Sequence, residues 1–180
     1  PASEDKINEE NIRPIYKDDD MYAHRVELAS DADVEAMIES IIRARKHYKG
    51  TGNPKLYTTT DVLTDMLLYK DKMGRRVYRS VAELASDLRV SAIVEVPVME
   101  NMTRTDDTEL KELGLVGIIV NLKDYVLGAD KGGKVSMFDD FDIDYNQYKY
   151  LIETRCSGAL IHPKSALVIE RVTEGIDREE

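Results

Sequence analysis

The stretch Leu115–Glu170, LVGIIVNLKDYVLGADKGGKVSMFDDFDIDYNQYKYLIETRCSGALIHPKSALVIE, decides the fold class of this chain. It is rich in β-branched and aromatic residues, which favour strands, and glycine, aspartate and proline interrupt it, which favours turns. The stretch therefore predicts strands joined by turns. In chain order, these are a mostly buried strand over 115–127, a turn over 129–134, a long and partly alternating strand over 135–161, a turn over 162–165 and a last strand over 166–172.

A helix precedes these strands in the sequence. Hydrophobic residues between Val34 and Tyr48 recur at intervals of three and four, which is the spacing of one helix face. Ser30 is predicted to cap the first turn, with Asp33 as its capping-box partner, because both side chains can accept hydrogen bonds from free backbone amides. Gly50 is predicted to end the helix.

Two shorter helices and a further strand follow. Thr60 or Asp61 is predicted to cap the second helix and Gly74 to end it, whereas the sequence SVAE over Ser80–Glu83 has the form of a capping box and predicts a third helix. Ser91–Val98 predicts a strand with a proline near its end, which is typical of a sheet edge. Helices followed by antiparallel-looking strands predict an α+β fold.

The composition narrows the classes of protein to consider. The 180 residues carry a formal net charge of −10, which opposes non-specific binding to nucleic acid phosphates, although Arg75, Arg76 and Arg79 are candidates for a local basic patch. Cys156 is the single cysteine, so no intrachain disulfide forms and a reducing compartment is indicated. The sequence contains no apolar run of about 18 residues, so it predicts no membrane-spanning helix. The chain begins with proline, and we therefore expect it to be part of a longer polypeptide.

Residues Gly128–Lys134 nearly match a nucleotide-binding loop. That loop requires G-x-x-x-x-G-K-[ST] and leads into a helix whose N-terminus holds phosphate. Val135 occupies the position of the hydroxyl that binds magnesium, and the sequence that follows is β-rich and acidic. We therefore interpret this segment as a hairpin turn with two glycines that can adopt positive φ.

The aspartates behind this segment partly match a calcium loop. Asp140, Asp142 and Asp144 have the D-x-D-x-D spacing, but Tyr145 replaces the glycine at the sixth position and Leu151 the glutamate at the twelfth. In a strand, the three acids would share one face. The sequence leaves two interpretations open, a solvated acidic face and an adventitious divalent-cation site.

No recognisable active site is present in the sequence. His24, His47 and His162 lack the spacing of metal ligands, and Asp124 lies near a strand end without a paired acid. Cys156 lies inside a strand pattern, which predicts a small buried hydrophobic residue rather than a nucleophile. We expect a protein that is not an enzyme and needs no cofactor.

Two stretches resemble one protein family. Asn53–Val90 resembles the part of tailed-phage major capsid proteins that follows their long helix. Leu115–Glu170 resembles their C-terminal part, in which a G-x-I-V-N-x-x-D-Y-x-x-G strand is followed by a turn and an aromatic-rich strand ending near E-T-R-x-S-G-A. The resemblance is to capsid subunits of the Hong Kong 97 type and covers roughly residues 31–172.

The resemblance implies a partial Hong Kong 97-type fold, in which a spine helix accompanies an axial-domain mixed sheet with flanking helices. Residues 1–29 would be the end of the extended loop or a peripheral-domain strand, and 30–53 the spine helix of the peripheral domain. Residues 54–163 would form the axial domain, and 164–180 a last strand and tail that return to the peripheral domain.

The implied function is that of a major capsid subunit of a tailed phage or prophage, which self-assembles into the icosahedral head around DNA. Its expected partners are copies of itself in hexamers and pentamers of the full-length protein, together with scaffold, portal or decoration proteins. Sequence-specific nucleic acid and membranes are not expected partners. The expected location is the virion, after assembly in the bacterial cytoplasm. One alternative is an encapsulin-like nanocompartment shell protein, and another is a small metal- or ligand-binding domain that uses the acidic face Asp140–Asp144.

Overall fold

The computed structural model describes residues 12–106, 111–129, 136–153 and 156–175. Its strands are β1 (Ala23–Leu28), β2 (Lys55–Thr58), β3 (Ile93–Glu95), β4 (Thr103–Asp106), β5 (Lys111–Val120), β6 (Tyr125–Ala129), β7 (Ser136–Asp142), β8 (Gln147–Glu153), β9 (Cys156–Leu160) and β10 (Ala166–Gly175). Its α-helices are α1 (Val34–Ala44), α2 (Thr60–Leu68) and α3 (Val81–Asp87). The predicted α+β class is confirmed. No helix within the described ranges is long and apolar enough to cross a membrane.

A six-stranded mixed sheet forms the centre of the molecule. Its strand order is β1–β10–β5–β2–β3, and β4 pairs with β5 beyond the end of β2. Strand β10 runs antiparallel to β5 and parallel to β1, whereas β2 runs antiparallel to β5 and parallel to β3. Residues 166–169 are at most 1% exposed, because a strand in the middle of a sheet covered on both faces has no solvent side.

Both faces of the sheet are covered. The three α-helices cover one face, where Met37 and Ile41 of α1 pack with Leu56, Ile119 and other buried residues of the sheet. Each fully buried side chain of this size contributes about 1.5–3 kcal/mol. The other face is covered by the 3₁₀ turns at 15–17 and 97–101 and by strand β9. The sheet is therefore the middle layer of the described core.

The predicted helix face is confirmed, and the predicted caps are shifted. Val34, Met37, Ile38 and Ile41 face the core. Helix α1 starts at Val34 because the Asp33 carboxylate accepts a hydrogen bond from the Ala36 amide at 2.8 Å, so the prediction of a cap at Ser30 was wrong.

The second helix was also predicted with the wrong ends. Thr59 caps α2 by accepting from the Val62 amide, and the helix ends at Leu68. Gly74 lies in the following turn with φ of +78° and does not end the helix. The predictions of Ser80 as a cap and of an edge strand within 91–98 are confirmed, because Ser80 accepts from the Glu83 amide and β3 is the last strand of the sheet.

Two of the predicted strands are each divided into shorter strands in the structure. The segment 115–127 is not one strand, because the 3₁₀ turn Leu122–Asp124 separates β5 in the main sheet from β6 in a small sheet with β9. The segment 135–161 is likewise divided into β7, β8 and β9. The turn Ile143–Asn146 reverses the chain between β7 and β8, and Asn146 adopts φ of 50°, which asparagine tolerates better than most residues.

Candidate functional site

The β7–β8 hairpin is the most unusual surface of the described chain. Its strands pair antiparallel from Ser136 opposite Glu153 to Asp142 opposite Gln147, and they form a sheet of their own. Directly opposed residues point to the same face of a hairpin. One face therefore carries Met137 with Ile152 and Phe141 with Tyr148, whose ring centroids lie 4.9 Å apart.

The hairpin exposes its large apolar side chains to solvent on both faces. A two-stranded hairpin is marginally stable in water unless another element packs on it. Contiguous exposed apolar surface of this kind marks sites of interaction between proteins. The exposed set is Met137, Phe138, Phe141, Ile143, Tyr145, Tyr148, Tyr150, Leu151 and Ile152.

The aspartates proposed as metal ligands lie on and beside this hairpin. Asp140 and Asp142 lie on one face of β7, whereas Asp144 lies in the turn. The Asp142 carboxylate accepts from the Asp144 amide at 3.1 Å and forms an ion pair with Lys149. The described residues contain no group of three acid, histidine or cysteine side chains arranged to hold a metal ion, and the cation-site interpretation remains an untested prediction.

The nucleotide-loop segment has the wrong surroundings for phosphate. Gly128 lies in β6 opposite Ser157, residues 130–135 lie outside the described part, and residues 136–142 are a strand where a helix would be required. The interpretation as a hairpin turn was also wrong, because β6 pairs with β9 and β7 with β8. Residues 130–135 thus connect strands of two different small sheets.

Cys156 is exposed, which corrects the prediction of a buried residue. Strand β9 belongs to a two-stranded sheet whose Gly158 and Leu160 reach the core, whereas Cys156 and Ser157 lie at its open end. A residue in a strand is buried only if another element covers its face of the sheet, and the strand pattern in the sequence does not show which face is covered.

Two histidines that are distant in sequence are brought together. The rings of His24 on β1 and His47 after α1 have centroids 4.5 Å apart. Burial lowers the pKa of His24 from its ordinary value, the nearby His47 and Lys164 lower it further, and Asp20 opposes them. Sequence spacing could not indicate this contact, because it depends on how α1 packs against β1. His162 is exposed.

The sequence predictions also missed the hydrogen-bond partners of two buried carboxylates, Asp124 and Glu170. Asp124 accepts from the backbone amide of Thr51 at 2.8 Å and from its hydroxyl at 2.5 Å. Glu170 accepts two hydrogen bonds from Arg104. Glu27 of β1 lies directly opposite Glu170 of β10, and Asp106 also lies within ion-pair distance of Arg104, at 3.7 Å. Both fix the local structure of the core.

Comparison with known proteins gives matches to solved structures alone. No protein-family profile and no curated protein matches the chain. The capsid of an empty GTA particle is 11% identical, with a TM-score of 0.49, and the match covers 82% of this chain and 50% of that one. A phage-related protein from Bordetella bronchiseptica RB50 is 14% identical, with a TM-score of 0.47, covering 86% and 58%.

A third matching structure is the capsid of the cyanophage P-SCSP1u. It is 10% identical, with a TM-score of 0.47, and the match covers 83% of this chain and 54% of the capsid chain. The chain thus spans 50–58% of the length of these three structures.

Proposed function

We propose that this chain is the C-terminal part of a major capsid subunit of the Hong Kong 97 type, from a tailed phage or prophage. The observation that carries the proposal is the β7–β8 hairpin, whose apolar side chains on both faces lie exposed in the single chain. A shell subunit has such surfaces because it buries them against copies of itself. The sequence resemblance over residues 31–172 supports the same assignment.

The proposal assigns a role to each part of the chain. Helix α1 is the spine helix of the peripheral domain, and residues 54–163 form the axial domain at the centre of a capsomer. Strand β10 belongs with the peripheral domain, although it pairs with β5 in one continuous sheet. Residues 1–29, of which 12–29 are described and contain β1, form the end of the extended loop or a strand of the peripheral domain.

The partners and location follow from this role. The full-length subunit forms hexamers and pentamers with itself, and it meets scaffold, portal and decoration proteins during assembly in the host cytoplasm. Its role in the virion is structural rather than enzymatic. The net charge of −10 supports a wall that encloses DNA without binding it tightly, since phosphates repel carboxylates.

Electron microscopy of the full-length subunit tests this function. We expect closed icosahedral shells from the full-length protein, and monomers or small oligomers from the 180-residue chain, because the chain spans about half of comparable subunits. A full-length protein that forms only discrete small particles would contradict the proposal. The same preparation with the hairpin residues Phe138, Tyr150 and Leu151 changed to serine should yield few or no shells.

A further inference from the structure

The loop between α2 and α3 has a fixed shape. The Asp71 carboxylate accepts from the backbone amides of Met73 and Arg75 at 2.8 and 2.9 Å, and its backbone carbonyl accepts from the Gly74 amide. Lys70 and Arg76 form an isolated antiparallel bridge across the base of this turn. We call residues 70–79 the basic loop.

The basic loop combines positive charge with exposed apolar side chains. Arg75 pairs with Asp71 at 3.3 Å, and no described carboxylate lies within ion-pair distance of the other cations. Met73 is 78% exposed and Val77 is 38% exposed. The exposed cations of the loop are Lys70, Lys72, Arg75, Arg76 and Arg79.

The β7–β8 hairpin has the opposite charge. Between Met137 and Ile152 it carries four aspartates and a single lysine. Lys149 pairs with Asp142, which leaves Asp139, Asp140 and Asp144 without a described cation within ion-pair distance. Within the described part of the chain, no hydrogen bond, ion pair or ring contact joins the hairpin to the basic loop.

We propose that the β7–β8 hairpin of one copy docks on the basic loop of a neighbouring copy. The proposal rests on the capsid function above and identifies one subunit interface. Arginine side chains would lie over tyrosine rings and Met73 against phenylalanine, both favourable contacts. Two hairpins facing each other would bring like charges together, and so would two loops. The contact therefore joins unlike surfaces of two copies, and we assign it the head-to-tail arrangement of a capsomer, which closes into a ring when the rotation between copies permits.

Reversal of charge on each surface tests this interface in the 180-residue chain. The loop variant carries Arg76→Glu and Arg79→Glu, and the hairpin variant carries Asp139→Lys and Asp140→Lys. By sedimentation velocity, we expect the parent chain to associate with concentration and to dissociate as salt rises from about 50 to 500 mM. Each variant alone should associate at least about tenfold more weakly. A mixture of the two variants should regain association, because each then offers the other an opposite surface.

The control variant carries Lys46→Glu and Lys123→Glu, which reverse two exposed cations outside the loop and should leave association unchanged. Loss of association in this control equal to the loss in the loop variant would overturn the interface. So would a parent chain without concentration-dependent association, or a mixture that stays dissociated. Circular dichroism of every variant verifies that the α+β core is intact.

Crosslinking provides a second measurement that does not rely on reversed charges. In a Cys156→Ser background, Met73→Cys with Phe138→Cys should give a ladder of disulfide-linked oligomers under mild oxidation with copper phenanthroline. Each single cysteine should give dimers at most. A double variant that stops at dimers would overturn the head-to-tail contact.

Assembly of the full-length subunit separates failure of the interface from failure of the proposed function. If full-length subunits carrying the loop variant form normal shells, the interface is wrong but the capsid function is still supported. If the unmodified full-length subunit forms no shells, the capsid function is wrong.

Discussion

Arg104 on β4 and the buried Glu170 on β10 form a partly buried ion pair across strand β5, which lies between the strands that carry them. The Nε and Nη2 groups of Arg104 donate to the two carboxylate oxygens of Glu170 at 3.0 and 2.8 Å, and Glu170 is 1% exposed. The hydrogen bonds to Glu170 raise the pKa of Arg104. A two-bond contact of this kind fixes direction as well as distance, so it aligns β4 against the end of β5.

Glu170→Ala should destabilise the fold by about 1.5–3 kcal/mol, because it removes two hydrogen bonds to the partly buried Arg104 and leaves it only the longer contact with Asp106 at 3.7 Å. Urea unfolding at neutral pH measures the change. The double variant Glu170→Met with Arg104→Met should lose far less, since apolar side chains of similar volume replace the pair. If Glu170→Ala and the double variant unfold at the same urea concentration, the pair does not hold β4 in place.

Asp124→Asn should destabilise the loop that follows α1. The carboxylate accepts two hydrogen bonds from Thr51, one from its backbone amide and one from its hydroxyl. An asparagine in its place would turn its NH2 group, which is itself a donor, toward one of these two Thr51 groups. We expect a loss of about 2 kcal/mol in urea unfolding. Asp65→Asn, at an exposed position of α2, is the matched control and should change stability by less than about 0.5 kcal/mol. Equal effects at both positions would contradict the role of Asp124.

The sequence predicts elements with strong local signals and misses contacts made over long distances. The buried face of α1 follows from the spacing of Met37, Ile38 and Ile41, which depends only on the helix period. The Thr51 contact of Asp124 joins residues 73 positions apart, and no local pattern encodes it. The Arg104 pair likewise depends on which strands flank β5.

The hairpin shows a second limit of sequence interpretation. The alternation of residue types over 135–161 correctly predicted β-structure, but it did not predict that the chain reverses direction. The turn at Ile143–Asn146 contains no glycine or proline that would have indicated this reversal. The turn depends on Asn146 at positive φ and on the Asp142 carboxylate accepting from the Asp144 amide. Acidic and aromatic residues were therefore assigned to one strand when they line two.

Ile38→Asp should largely unfold the core, because it places a charge on the buried face of α1. Ile38 is 6% exposed, and we expect a loss of roughly 3–5 kcal/mol, a large share of the 5–15 kcal/mol typical of a domain. Thermal melts by circular dichroism measure it. The same substitution at Ile143, which is 83% exposed, should leave the melt nearly unchanged. Coincident melts for Ile38→Asp and the parent would show that the helix face is assigned wrongly.

Acid should destabilise the chain through His24. Its pKa lies below the ordinary value of 6.5 in the folded chain, first because of burial and then because of His47 and Lys164. The folded state therefore takes up this proton less readily than the unfolded state. At a pH where His24 is neutral in both the folded and the unfolded state, it does not change the free energy of unfolding. As the pH falls through 6.5 toward the lower pKa of the folded chain, His24 reduces the free energy of unfolding.

Urea unfolding at about pH 8 and about pH 5.5 isolates this contribution, because the two values lie on either side of the ordinary histidine pKa. The difference in unfolding free energy between them should be smaller in His24→Gln than in the parent chain. Comparison across pH removes the loss of the ring contact with His47, which affects both measurements. His162→Gln, which changes an exposed histidine, should retain the parent's difference. If His24→Gln also retains it, protonation of His24 does not contribute to acid sensitivity.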